Sequence, residues 1–419
     1  MSRAASFFLA PLASSVRRRH YWTAVAAFTI IAVPLLWAYA GSAATLWMYI
    51  FHPSDITTWD QVWNYVANLR VPIPLLLSLA EIAEYRLTGE LTLMTRLLYP
   101  VAIYLAFALA LWPASASRLR LAVAFVLAVI YLWGLRLVHF ANPQTYDVIF
   151  PALVLAYVVL LGRAACAQGA ARGKLWPALG AGLALTLAEL TRPFFIYLLP
   201  LLVVAGCLVL WKHGRRVVGL FLLPVLLLSG SWHLHIARTQ GQLAWTNHSG
   251  YNLLRNWTIV EMPPLVAETG SAPLAADRWP NLNTPEHGEN NRRIQAAVVG
   301  YIRAHPAQAA RHGLTKLRDF LAIPTGYYNW HPDQPGLRFY RWAAWVGLAW
   351  LGVQLAAAGV ALWRRNWSAL VSAESQLIAI TAATLLVLAL GEAGEEARLA
   401  VTLLPLLATL PVFGRPWSC

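Results

Sequence analysis

Three aspartates and four arginines stand where the chain changes from apolar to polar: Asp55, Asp60 and Asp147, and Arg192, Arg238, Arg255 and Arg398. Ionisable groups beside long apolar runs are costly to desolvate, which makes them candidates for chemistry. An aspartate can take the proton of an attacking hydroxyl or amine. A guanidinium can hold a phosphate as it leaves, because its planar fork donates two parallel hydrogen bonds. The plainer alternative makes each aspartate a solvated loop acid and each arginine a side chain reaching for the interface. Against it, separate segments each set acids beside aromatic residues: Asp60 follows Trp59, and Asp147 closes the string Asn142-Pro143-Gln144-Thr145-Tyr146.

Other chemistries find no support in the residue spacing. His233 and His235 are two apart and point to different faces of a helix, unlike a metal-binding pair at i and i+4. His248, His287, His305, His312 and His331 show no ligand spacing either, so satisfied or solvent-exposed histidines are expected. No metal motif is present; a divalent cation stays possible, and the cofactor is unassigned. Cys166, Cys207 and Cys419 are scattered without metal-ligand spacing; the orientation derived below leaves all three near the cytoplasmic side or in lipid, so no disulfide is expected. No glycine-rich phosphate loop with a following lysine, serine nucleophile elbow or zinc protease helix occurs.

The elements that must position these groups follow from composition. Of 419 residues 59% are hydrophobic and only 12% charged, with a mean hydropathy of +0.54. Soluble domains carry about 25% charged residues. The apolar residues come in blocks near the length that crosses the hydrocarbon of a bilayer as a helix. Backbone amides in lipid must pair internally, and the short alternating segments of a β-barrel are absent, so an all-α polytopic membrane protein is expected. The spans read as 21–41, 92–112, 119–138, 147–162, 175–190, 193–211, 217–236, 342–362, 372–390 and 398–413. Arg17-Arg18-Arg19 before the first block resembles a signal-peptide start, but without a small-residue cleavage site it reads as an uncleaved anchor.

The net charge of +14 does not indicate nucleic acid, because the basic residues sit between apolar blocks, where they set orientation. Arg17–Arg19, Arg118 and Arg120, Arg163 to Lys174, Lys212 to Arg216, Arg364 and Arg365, and Arg415 occupy alternate connections. These define a cytoplasmic side with both termini on it, in a plasma or bacterial inner membrane. The opposite side collects nearly all the acids and two long segments. The first, 42–91, carries a Pro72-Ile73-Pro74 break and two stretches, Trp59–Leu69 and Leu75–Leu87, that read as interfacial amphipathic helices. The second, 237–341, is a soluble insert, with loop over 261–291 and two helices over Asn291–Phe320 broken at His305-Pro306. The organisation is therefore 1–236, an N-terminal transmembrane module; 237–341, the insert; and 342–419, a C-terminal transmembrane module.

Taken in order, several stretches resemble the polyprenyl-phosphate-sugar-dependent membrane glycosyltransferases of the C-type fold, which include the protein O-mannosyltransferases and the lipid A aminoarabinose transferase. Ser54–Leu77 is similar to their first outward loop, and Asn142–Leu161 to their second acidic position. Glu189–Pro200 resembles the Arg/Lys-Pro start of a leucine-rich span. Ser231–Asn256 resembles the passage into the large loop, with its Gly-Tyr-Asn-Leu string. Val298–Phe320 resembles a loop helix pair, and Glu395–Pro405 the acid-x-x-Arg then Pro motif of the last span.

The resemblance implies inverting transfer of a sugar from a polyprenyl phosphate to a glycan, lipid or protein acceptor at the outer face. It implies Asp55 or Asp60 as base with Asp147 in support, Arg192, Arg238, Arg255 and Arg398 as phosphate partners, and Glu395, Glu396, Tyr251 and Asn252 in supporting roles. The adjacent Asp-Glu pair of that family's first loop is absent here. Spacing to Pro72 favours Asp55, and the Asp60-Gln61 context favours Asp60. Two other classes compete. A surface-polysaccharide ligase or polymerase would rely on outward arginine and histidine with no essential first-loop acid. A lipid flippase or transporter would show internal repeats and a midplane site.

Overall fold

The computed structural model describes residues 14–42, 83–89, 97–137, 145–167, 172–239, 250, 253–254, 285–322, 335–391, 396–409 and 413. Every regular element among them is helical. In chain order these are α1 (Ser14–Ser42), α2 (Tyr99–Ala114), α3 (Arg118–Leu137), α4 (Thr145–Cys166), α5 (Arg172–Thr191), a 3₁₀ turn (Pro193–Tyr197), α6 (Leu199–Trp211) and α7 (Arg215–Pro224). A π-helical turn (Val225–Ser229) joins α7 to α8 (Gly230–Thr239). There follow α9 (Pro285–Ala304), α10 (Pro306–Ala322), α11 (Pro335–Trp363), the short α12 (Trp367–Leu370), α13 (Ala373–Gly391) and α14 (Glu396–Ala408).

Among the described residues four helices are long and apolar enough to cross a membrane: Ser15–Trp37, Ile149–Cys166, Arg215–Arg238 and Trp342–Trp363. Pro100–Ala114, Leu199–Trp211 and Ala373–Val387 are apolar but shorter. The chain is thus all-helical among the described residues, and four long apolar helices point to a multi-pass membrane protein. Its surface agrees with that. Leu201, Val204, Leu208, Leu226 and Leu227 are exposed, an apolar exterior that suits lipid better than water. Exposed tryptophans stand near helix ends: Trp22, Trp176, Trp211 and Trp363 on one side, Trp37 and Trp342 on the other. Amphipathic rings at those levels suit the bilayer–water interface.

One end of the bundle is tied by basic residues. Arg17, near the start of α1, is buried; its Nε donates to Ser115 Oγ at 3.0 Å and its Nη2 to the Trp112 carbonyl at 3.1 Å. The Trp112 ring lies 4.8 Å from the Arg17 guanidinium and 5.0 Å from that of Arg163. Arg118 donates to His20 at 3.3 Å, and His213 Nε2 donates to the Ala165 carbonyl at 3.0 Å. Burial, opposed by that hydrogen bond and assisted by Lys174 and Lys212, holds the His213 imidazole below its ordinary pKa. These residues belong to the start of α1, the α2–α3 turn, the end of α4 and the α6–α7 turn. Their meeting shows that successive helices run up and down, with alternate connections gathered at one basic end.

The structure corrects one expectation here. Cys166, at the end of α4, is disulfide-bonded, whereas Cys207 is free. The expectation rested on thiols staying reduced near the cytoplasmic side, and the bond at Cys166 overrides it.

The insert helices α9 and α10 break at His305, as expected, although α9 starts earlier, at Pro285. The Gly250 N–H donates to Asn291 Oδ1 at 2.7 Å. Leu254, Ile294, Val298 and Ala309 form a small core of their own. Helix α10 also packs on α11, α13 and α14, which seats the insert on the bundle. Of the two expected interfacial helices, Trp59–Leu69 lies outside the described residues, and of Leu75–Leu87 only 83–87 is described, within a helical turn over 83–88.

Helices α5 and α7 approach so closely that a Cβ on Gly182 would sit 2.0 Å from the Phe221 carbonyl oxygen. Small residues permit such backbone contact in membranes, where packing replaces the hydrophobic effect between helices. A Cβ on Gly180 would instead meet only the mobile end of Leu160, at 3.0 Å. Gly182→Ala is therefore expected to destabilise the detergent-solubilised protein by roughly 1–3 kcal/mol, as overpacking does, while Gly180→Ala leaves the thermal midpoint nearly unchanged. Equal midpoints for the two variants would contradict this packing.

Candidate active site

Helices α4 and α5 form a hairpin across a short connection and pack along their length. The start of α4 and the end of α5 therefore lie together, at the end opposite Arg17. Asp147 occupies the first turn of α4. Phe150, one turn on, packs edge-on against Phe195 with ring centroids 5.3 Å apart, and against Phe194 at 5.6 Å. The backbone of Asp147 is thereby set near the 3₁₀ turn that follows α5.

Arg192 stands at the break between α5 and that turn. The residue before a proline is pushed out of the helical region, and Arg192 is extended at φ −128°, ψ 111°. Its N–H still closes the last turn of α5 onto the Ala188 carbonyl at 3.1 Å. Its side chain turns inward, 3% exposed, and Nη2 donates to Thr402 Oγ1 on α14 at 3.3 Å. Arg398 lies one turn before Thr402 on the same helix, so residues 192 and 398, far apart in sequence, belong to adjoining segments. A guanidinium buried at this depth is costly, unlike one stretched into the headgroups.

The same turn of α5 carries Glu189, also 3% exposed. Its Oε1 lies 3.0 Å from His233 Nε2 on α8. Pro224 has no N–H to continue the ladder of α7, and the chain passes through the π turn before α8 begins. The wider turn shifts the register of everything after it, and His233 faces α5. Glu189 Oε2 is buried and has no hydrogen-bond partner among the described residues. Neither Glu189 nor His233 stood among the expected site residues. The sequence did hold one signal: an acid three positions before Arg192, at the end of an apolar run.

The other expected residues fare differently. Arg238, in the last turn of α8, is exposed, which fits a side chain reaching for the interface. His235 is exposed and stacks on Trp232 at 5.5 Å. Glu396 and Arg398 are in the first turn of α14. Asp55, Asp60, Tyr251, Asn252, Arg255 and Glu395 lie outside the described residues. Among the described residues no three histidine, cysteine, aspartate or glutamate side chains converge as a metal site would need.

The arrangement joins a buried cation, a buried carboxylate and an imidazole at one helix end. It can hold an anion, accept a hydrogen bond and pass a proton between Glu189 and His233. A hydrogen bond to a charged group is worth about 1.5–3 kcal/mol. A double-mutant cycle on Glu189→Gln and His233→Gln is expected to give a coupling energy of that size in unfolding; additive effects would mean the two side chains do not interact. No family model matches the chain, and neither a curated protein nor a solved structure matches it, so the geometry of the site carries the functional reading.

Proposed function

We propose that the chain is a membrane glycosyltransferase that moves a sugar from a polyprenyl-phosphate donor to an acceptor at the outer face of the membrane, with inversion. The observation that carries this reading is Arg192: a buried guanidinium at a helix break, reaching to the last helix beside the Asp147 end of α4. That placement suits a phosphate held at the level of the headgroups. Asp55 or Asp60 takes the proton of the acceptor hydroxyl as its oxygen attacks the anomeric carbon. The bond from that carbon to the phosphate oxygen breaks, and the polyprenyl phosphate leaves without needing a proton. Arg192 and Arg398 stabilise the charge that develops on it.

The orientation belongs to the same proposal: ten spans, both termini in the cytoplasm, and 237–341 outside. It rests on the gathering of basic connections at one end. A reporter active only outside the cytoplasm is expected to work when fused at Gly288 and to fail at Gly173, and the opposite pattern would reverse the assignment. The disulfide at Cys166 pulls against this orientation, because cytoplasmic thiols are kept reduced. In cells quenched with acid and then alkylated, Cys166 is expected to be protected, as its disulfide requires, and the reporter fusions then decide the orientation.

A second reading gains from a specific observation. The Glu189–His233 pair beside Arg192 is what a polysaccharide ligase, working without a first-loop acid, would use. Two measurements separate the readings. Arg192→Ala is expected to weaken binding of undecaprenyl phosphate to the purified protein in nanodiscs on the order of a hundredfold, the worth of a buried charge-assisted contact. Retention within a few-fold removes the phosphate from that site. Asp55→Asn or Asp60→Asn is expected to abolish transfer at normal expression. If both variants turn over normally, the ligase reading takes first place.

A further inference from the structure

Glu189 is half satisfied. Oε1 receives the His233 bond, while Oε2, buried like the rest of the side chain, has no hydrogen-bond partner among the described residues. A carboxylate oxygen left this way loses the full hydration of a charged group. The fold offers no packing reason for the cost, since neutral side chains would fill the same place between α5 and α8. A ligand that brings a donor would repay it. Carboxylate oxygens only accept, so the partner must carry a hydroxyl or an amine.

Position narrows the class further. Glu189 lies in the last turn of α5 and Arg192 follows that turn directly, both with buried side chains. A ligand that touches both presents an anionic group and a donor group within a few ångströms of each other. A sugar bonded to phosphate through its anomeric carbon does so, because its ring hydroxyls lie close to the phosphate oxygens.

We infer that Glu189 is the hydroxyl-recognition residue of the donor subsite: Oε2 accepts from a ring hydroxyl of the sugar whose phosphate Arg192 holds, and His233 fixes the carboxylate through Oε1. This rests on the glycosyltransferase reading and deepens it. Glu189 is then a binding residue that selects the glycosylated carrier over the bare one, and His233 is a positioning residue. A buried acceptor left unpaired discriminates strongly against a ligand that lacks the matching donor.

The test uses the full-length protein in nanodiscs. Its probes are undecaprenyl phosphate and its glucosyl, mannosyl, galactosyl and N-acetylglucosaminyl derivatives. Wild type is expected to bind at least one glycosyl carrier about tenfold more tightly than the bare carrier, the value of one well-made hydrogen bond. Glu189→Gln is expected to bring the two within about twofold of each other. A wild type with no preference, or a Glu189→Gln protein that keeps it, overturns the inference and leaves the phosphate reading standing. Failure of wild type to bind even the bare carrier sinks the glycosyltransferase reading itself. Should Glu189→Gln not fold, His233→Gln, which keeps the carboxylate and frees it to turn, is expected to narrow the same preference. An unchanged preference in that variant also overturns the assignment.

Discussion

The cost of taking charge out of water governs where everything in this molecule sits. An apolar bundle admits ionisable side chains only at helix ends or in pairs, because an isolated charge at depth is too expensive. The protein uses both allowances and keeps them apart. One end sets Arg17 and Arg163 on the Trp112 ring, pairs Arg118 with His20 and ties His213 to the Ala165 carbonyl. The other holds Glu189, His233 and Arg192 under cover. The first set is explained by the helix ends it ties together. The second buries more polarity than its packing needs, and that surplus separates a site from a clasp.

Buried polar bonds between distant helices also set how the bundle is arranged. Tyr131 donates to the Ala343 carbonyl at 2.7 Å and joins α3 to α11. Tyr157 donates to Gln376 and joins α4 to α13. With helix faces that are all apolar, such bonds and close glycine contacts pick one rotation of each helix among many of similar packing energy. The site inherits its order from them, since α4, α5 and α14 all contribute to it.

Much of the fold was legible in the sequence. Blocks of apolar residues put helices where they occur: the expected 147–162 appears as Thr145–Cys166, and 217–236 as the run from Arg215 to Thr239. The Arg192-Pro193 break was readable because proline restricts the residue before it. What escaped was rotational and long-range. Helix α5, apolar almost all round, carries no stripe to say which face packs inward, so nothing local tells that Glu189 meets His233 across 44 positions, or Arg192 meets Thr402 across 210. The bond at Cys166 escaped because thiols near the cytoplasmic side were expected to stay reduced. Arg192 was found by its chemistry alone, and Glu189 was passed over because its partner lay on a helix whose register could not be guessed.

That register hangs on the five residues from Val225 to Ser229. An α-helix advances about 100° per residue and a π turn takes one residue more to close, so the same residues wound as an unbroken α-helix would swing His233 by roughly one residue's rotation, off Glu189. The stretch is plain Val-Leu-Leu-Leu-Ser and looks replaceable by composition. Length and winding are coupled there: a one-residue gap at this place in an alignment, with every polar residue kept, would mark a protein that reaches the same pairing through an ordinary helical turn.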